Sequence, residues 1–281
     1  MSPARGRALA GMAAGLVLWL PLLASAQKPP EWLQQISPTS VGSFPMIAPF
    51  HATFRFGWSG IEAASAETRL EIKNGIANVF VKGQTTGMAR TLWKLEATHE
   101  GTFEVRGLKP LGFLQVEQYN NRRITTEALF KKDGLWRLRQ RTPQGGPSKW
   151  KPIRIEPIRD IVSAMFFLRS QSLETGDKLA VIAFPGDSPF LFQAGVGKRE
   201  TIKINEHQRP AIRLNFQIQR IELKKNEPPR LQQHGKFRKG SVWISDDEHR
   251  FPLRAEVDIF IGSVFAEMET LTFSAKPQIE R

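Results

Sequence analysis

Between Phe50 and Trp58 the chain alternates. Phe50, Ala52, Phe54, Phe56 and Trp58 are apolar, and His51, Thr53, Arg55 and Gly57 stand between them. Residues 64–73 repeat the pattern, with Ala64, Ala66, Thr68, Leu70 and Ile72 set against Ser65, Glu67, Arg69, Glu71 and Lys73. A period of two sends successive side chains to opposite faces, so both stretches predict half-buried strands of an antiparallel sheet. Asn74-Gly75 then supplies a tight turn into a strand over 76–82, because both residues tolerate positive φ. The strand pattern returns at 102–106, 113–119, 124–131 and 135–141, with Asp133-Gly134 as a second hairpin turn. Residues 142–152 predict a loop. From Lys178 onward strands are predicted over 178–184, 191–194, 196–204, 211–221, 235–245, 251–261 and 264–273.

Two stretches leave this period. Met88, Leu92 and Leu95 suit one helical face and predict a short helix over about 88–98. Asp160 precedes Ile161, Val162, Met165 and Phe166, while Phe167 and Leu168 widen the apolar sector. That pattern predicts a helix over 160–171, with the Asp160 carboxylate accepting from the free amides at its start. A helix apolar over so wide an arc needs burial on more than one side, as in the concavity of a curved sheet. The fold class that follows is mainly β: a strongly bent antiparallel sheet or open β-barrel with one or two short helices.

The N-terminus adds a destination. Arg5 and Arg7 precede an apolar run over 8–23, and Ala24-Ser25-Ala26 closes it. This is the pattern of a secretory signal peptide over 1–26, cleaved before Gln27. The run is short and broken by Pro21, which argues against a membrane anchor, and Gln27 in place of cysteine argues against a lipid anchor. Residues 27–49, with prolines at 29, 30, 38, 45 and 49, read as an irregular lead-in, and 50–274 as a single β-rich domain. The mature chain is expected in the periplasm of a Gram-negative bacterium, without spanning the membrane.

Composition narrows the chemistry. The chain has no cysteine, which removes disulfides, thiolate metal sites and cysteine nucleophiles together. The formal net charge is +13. Residues 122–154 hold ten Lys/Arg against two acids and residues 198–240 hold twelve against four, whereas 241–281 carry an acidic excess. A basic protein in that compartment suits anionic lipid, lipopolysaccharide or peptidoglycan as partner, while nucleic acid does not fit the location. Arg137, Arg139 and Arg141 project from one face of their strand, with Trp136 and Leu138 on the other. With Arg122, Arg123, Lys131 and Lys132 on the preceding strand and its turn they make a candidate anion-binding basic face, for which a solvated outer face is the competing reading.

Catalytic motifs do not survive inspection. Gly195-Val-Gly-Lys-Arg-Glu-Thr201 has the wrong glycine spacing for a phosphate loop and runs between strands. Gly57-Trp58-Ser59-Gly60 is one residue short of a nucleophile elbow, and the five histidines show no ligand spacing. No metal or other cofactor is expected. Trp243-Ile-Ser-Asp-Asp-Glu-His-Arg-Phe-Pro252 gathers three carboxylates, a histidine and an arginine, but Ser245, Asp246 and Asp247 are turn formers between two strand patterns. A hairpin corner, with Trp243 in the core and Pro252 where no ladder amide is needed, is the expectation there.

Asp160-Ile-Val-Ser-Ala-Met-Phe-Phe-Leu-Arg-Ser170, Thr175-Gly-Asp177, Val242-Trp-Ile-Ser-Asp-Asp247, Pro252 and Ile261-Gly-Ser-Val264 together resemble an exported bacterial family, domain of unknown function 3108. Phe54-Arg-Phe-Gly-Trp-Ser-Gly-Ile61 fits its opening strand. The resemblance implies a β-rich envelope protein and marks Asp160, Arg169, Asp177, Trp243, Asp246, Asp247 and Pro252 as structural motif positions. It implies no activity and no catalytic residue. The functional expectation is a non-enzymatic envelope protein that binds an apolar or anionic component, or a partner protein. The alternatives are a hydrolase of envelope polymers using carboxylates from distant strands, and a purely structural interaction module.

Overall fold

The computed structural model of the chain describes residues 29–38, 40–43, 47–143, 145, 148–233, 239–259 and 262–274. The expected signal peptide lies outside them. Sixteen strands follow in chain order: β1 (Phe50–Trp58), β2 (Ile61–Lys73), β3 (Ile76–Thr85), β4 (Leu95–Glu104), β5 (Lys109–Tyr119), β6 (Arg122–Lys131), β7 (Gly134–Thr142) and β8 (Lys151–Ile153) make the first half. The second half is β9 (Ile158–Asp160), β10 (Lys178–Phe184), β11 (Phe190–Ile204), β12 (His207–Glu222), β13 (Arg230–Gln233), β14 (Lys239–Ser245), β15 (Pro252–Asp258) and β16 (Ser263–Phe273). Helix α1 (Gly87–Leu92) joins β3 to β4, and α2 (Ile161–Ser170) joins β9 to β10.

One sheet contains them all, in the order β8-β7-β6-β5-β4-β3-β2-β1-β16-β15-β14-β12-β11-β10-β9, with β13 added to β12. Neighbours are antiparallel except β9 and β10, which are parallel and connected through α2. The topology dictates the curvature. Fifteen strands spaced about 4.8 Å apart would make a flat sheet roughly 67 Å wide. Its two edges, β8 and β9, are joined by residues 154–157 alone, which bridge at most about 18 Å. The sheet therefore has to curl until its edges nearly meet. No ladder joins β8 to β9 among the described residues, so the near-barrel stays open.

Helix α2 fills the concavity. Asp160 caps it through Oδ1, which accepts from the amides of Val162 (2.8 Å) and Ser163 (3.0 Å). Ala164, Phe166 and Phe167 are buried in the main core with Phe50 and Ala52 of β1, Leu70 of β2, Val79 of β3, Phe103 of β4, Val181 and Ala183 of β10, and Trp243 of β14. The helix thus touches both halves of the curl, as its apolar breadth required. A second core joins Phe113, Ala128, Leu135 and Ile153 to Ile182, Phe184, Leu191 and Ile221, where the two ends of the sheet face each other.

The irregular lead-in has work to do. Trp32, Leu33 and Ile36 pack on the second core, and Ser37 exchanges hydrogen bonds with Ala180 of β10, where the three-residue β9 no longer covers that edge. Such cover removes an open pairing template. The Gly42 amide donates to Ser170 Oγ (3.1 Å), and a Cβ on Gly42 would lie 1.8 Å from the Ser170 carbonyl oxygen, so only glycine fits there.

Several predicted boundaries move. The first helix ends at Leu92 rather than near 98, because Leu95 already pairs with Tyr119 at the start of β4. Its apolar side chains stay outside: Met88 and Leu92 are each 79% exposed. The predicted loop 142–152 gives way to β8, and the stretches 191–194 and 196–204 are one strand interrupted by a register shift between Val196 and Arg199.

Candidate functional site

Register places the predicted basic residues. The unbroken β6–β7 ladder pairs Arg137 with Ala128, Arg139 with Thr126 and Arg141 with Ile124. Leu135, on the same face of β7, is fully buried in the second core, as are Ala128 and Phe113 one and two strands away. The three arginines therefore line the concave face rather than the outer one. The row through Arg139 continues across Thr126, Gln115 and His99, and the row through Arg141 across Ile124, Glu117 and Ala97. The same alternation puts Arg122 on the concave side, its guanidinium 5.0 Å from the Tyr119 ring centre, whereas Arg123 and Lys131 point outward, Lys131 over Trp136. Lys132 lies in the turn before Asp133. Four of the seven residues thus share a face.

Their surroundings leave donors unused. Arg137 Nη1 donates to the Asp187 carbonyl in the loop between β10 and β11, which lies over this part of the trough. Among the described residues, the buried Nε atoms of Arg137 and Arg139 and the buried Nε2 of His99 have no hydrogen-bond partner. Burial pushes the Arg137 pKa down, the adjacent Arg139 charge adds to this, and Asp187 opposes it. Glu117 accepts from the Tyr119 hydroxyl (2.7 Å), and burial, followed by that bond and the Glu117 charge, pushes the Tyr119 pKa up to about 12. Half-buried cations with unsatisfied N–H groups and one nearby carboxylate suit an anion, whose oxygens would accept those bonds.

His99 sits 4.9 Å from the Phe113 ring centre, and burial holds its pKa below the ordinary value against the opposing pull of Asp160 and Gln115. A depressed folded-state pKa means that the unfolded chain takes up the proton first as pH falls. Stability from this group is therefore present above about pH 6.5 and lost below it. Urea denaturation between pH 7.5 and 5 is expected to show that decline, and His99→Gln to remove part of it. An identical slope in the variant would assign the decline to other groups.

The carboxylates of the Trp243–Pro252 stretch hold structure together. Asp247 Oδ1 accepts from Ser245 Oγ (2.7 Å) and from the amides of His249 (2.9 Å) and Arg250 (3.0 Å), and Asp246 pairs with Arg199 (2.7 Å). The predicted hairpin joins β14 to β15, with Pro252 opposite Ile244 at a register shift. Trp243, 9% exposed, donates from Nε1 to Glu200 (2.5 Å). The signal that sequence patterning missed is Arg250. Its guanidinium reaches the C-terminus of α2 and donates to the carbonyls of Arg169 (2.9 Å), Gln171 and Ser172 (3.0 Å). Arg169 is itself buried over the Phe166 ring (4.6 Å) and donates to the His249 carbonyl, so the two segments clasp each other. Burial pushes the Arg169 pKa down to about 9, with Asp247 opposing and Arg250 adding to the fall. Asp177 closes the turn after α2, accepting from Ser172 Oγ (2.7 Å) and the Glu174 amide (2.9 Å).

A groove of about 810 Å³ on the convex face of β2 to β6 gathers Glu71, Glu100 and Glu127 beside Phe80, Leu114 and Leu129. Glu100 and Glu127 flank Leu114 in register, two strand spacings or roughly 10 Å apart.

Four of the seven motif positions, Asp160, Arg169, Asp177 and Asp247, thus meet at the ends of α2, and the model of one family covers all seven: it matches residues 51–269. The chain belongs to the family described as protein of unknown function (DUF3108). Among solved structures this DUF3108 chain is similar to a beta-barrel-like protein of domain of unknown function DUF1849 from Brucella abortus. That match has 9% identity and a TM-score of 0.52, and covers 81% of this chain and 98% of the other. That similarity concerns the fold alone. A Bacteroides fragilis protein with a YmcC-like fold matches at 9% identity and a TM-score of 0.37, covering 83% of this chain and 99% of that one. No curated protein matches the chain. Among the described residues, no helix is long and apolar enough to cross a membrane.

Proposed function

We propose that this DUF3108 protein is a non-enzymatic protein of the bacterial envelope that binds a phosphate-bearing envelope component at the concave basic face. The observation that carries the reading is the pair of buried Nε atoms on Arg137 and Arg139, neighbours on one strand face and without a hydrogen-bond partner among the described residues, with His99 Nε2 in the same condition. Two cations so placed repel each other, and an anion would relieve both the repulsion and the missing bonds. The signal-peptide pattern over 1–26 supports export.

The hydrolase alternative requires a carboxyl pair in unlike environments, one able to stay protonated. Glu100 and Glu127, roughly 10 Å apart in the convex groove, have the spacing of such a pair, but both lie in the same open setting. The structural-module alternative requires a free sheet edge, and among the described residues β7 offers one beyond Arg137, where β8 no longer pairs with it; that edge carries Arg139 and Arg141, whose charge works against pairing with another strand.

The test is calorimetric titration with short-chain phosphatidylglycerol below its micelle concentration. Binding that weakens with salt, and an affinity at least tenfold lower in Arg137→Gln/Arg139→Gln, are expected. Wild-type affinity in the double variant would remove the reading.

A further inference from the structure

The antiparallel meander brings the C-terminal end of β1, the start of β2, the end of β3, helix α1, the start of β4, the end of β5 and the start of β6 to one end of the sheet. That end carries an apolar surface that stays exposed among the described residues. Trp58 is 45% exposed, Ile61 66% and Trp93 52%, in addition to Met88 and Leu92 of α1. Half of the large exposed hydrophobic residues of the described chain are thus these five. They are held together. Trp58 pairs with Ile61 across β1 and β2, and the Thr86 amide ahead of α1 donates to the Ala63 carbonyl of β2 (2.9 Å). Trp93 stacks on Tyr119 (5.9 Å between ring centres), which lies under Arg122. Helix α1 has no buried residue, so it contributes little to the core and presents its apolar side chains outward.

The charge at this end identifies what would cover it. Lys94, next to Trp93, and Arg122, over Tyr119, are exposed, Arg123 is exposed on the opposite face of β6, and Arg90 stands on α1. Glu62, Glu96 and Glu117 are the acids nearest in sequence; Glu96 is already paired with Arg90 (2.6 Å), and Glu117 accepts from the Tyr119 hydroxyl (2.7 Å). Tryptophans beside aliphatic side chains, rimmed by unpaired-in-sum positive charge, match the interface of an anionic bilayer. There the indoles sit at headgroup level, the aliphatic groups enter the acyl boundary, and Lys and Arg meet phosphates. A protein groove would need an acidic rim around an apolar floor. A second copy of this chain would bring like charge against like.

We propose that this end of the sheet docks on the surface of an anionic bilayer, with Trp58, Ile61, Met88, Leu92 and Trp93 entering the interface. The concave face opens towards the same end, where Arg122, Arg141 and Tyr119 stand, so docking would turn the trough to the headgroups. The docking surface does not depend on Arg137 or Arg139, and its test is separate from the titration above.

The experiment uses the protein recovered after export and sedimented with vesicles of phosphatidylglycerol and phosphatidylcholine, or of phosphatidylcholine alone. Expected are partitioning into the anionic vesicles that weakens with salt, and a loss of at least tenfold in Met88→Ser/Leu92→Ser. A loss of about a hundredfold is expected at low salt in Lys94→Gln/Arg122→Gln/Arg123→Gln. Lys73→Gln/Lys109→Gln, exposed at the opposite end of the sheet, is expected to sediment as wild type. Vesicles with brominated acyl chains give a second readout: tryptophan quenching is expected in the wild type and absent in Trp58→Phe/Trp93→Phe. The proposal is overturned if the wild type ignores anionic vesicles, whether or not it self-associates, or if quenching persists in the Trp58/Trp93 variant. Substituted positions are exposed, so far-ultraviolet circular dichroism is expected to match the wild type in each.

Discussion

Arg250→Met is expected to lower the unfolding free energy by about 3–5 kcal/mol, read as a shift of the urea midpoint. Methionine keeps most of the side chain's apolar length, so the loss isolates the guanidinium donors. Three main-chain carbonyls at and beyond the end of α2, those of Arg169, Gln171 and Ser172, lose their partner at once. A charged donor to one buried carbonyl contributes about 1.5–3 kcal/mol, and losses within a single network do not add in full. Arg250→Lys is expected to fall between the two, because an ammonium cannot span three carbonyls in one plane. If both variants unfold within about 0.5 kcal/mol of wild type, the clasp is incidental.

Phe166→Ala is expected to cost about 3–5 kcal/mol by the same measurement. Phe166 is 2% exposed, packs 5.4 Å from the Phe103 ring centre and carries Arg169 on its other side. Removing it opens a cavity between α2 and the sheet, and the sheet cannot collapse into that space, because its curvature is set by strand order and by the short link from β8 to β9. Leu92→Ala, on the exposed helix α1, is expected to stay within about 0.5 kcal/mol. Similar losses in both variants would mean that α2 does not fill the curl.

The contrast between the two helices says what was legible beforehand. α2 was readable because a capping Asp160 and a wide apolar sector state both its start and its need for burial. α1 has the same residue types, but nothing in a helical period tells whether a partner exists for the apolar face. The strands were readable where alternation ran clear of helical spacing; β4 was read only from 102, because Leu95 also fits a helical face with Met88 and Leu92, and β8 and β9, at three residues, carry no period. The parallel pairing of β9 with β10 depends on where α2 lies in three dimensions. For the basic strand, alternation separated Arg137, Arg139 and Arg141 from Trp136 and Leu138, but both faces carry apolar residues. Only the burial of Leu135 in the second core fixes which one is inside. Arg250 was hidden for another reason: its partners are main-chain carbonyls some eighty residues earlier, and backbone atoms leave no mark in a sequence.

The pairing of β1 with β16 sets an order of events for a chain that emerges from its N-terminus. Every other strand of the first half meets its neighbours within a few residues of synthesis, since β1 to β8 follow one another in the sheet. β1 has β2 on one side at once, but its other side waits for residues 263–273, more than two hundred positions later. Until then the edge at Phe50–Trp58 stays open, and the two halves of the sheet that wall α2 are not yet joined through β1 and β16. The final hairpin therefore acts as the latch: folding completes late and cooperatively, from contacts of the longest separation in the chain.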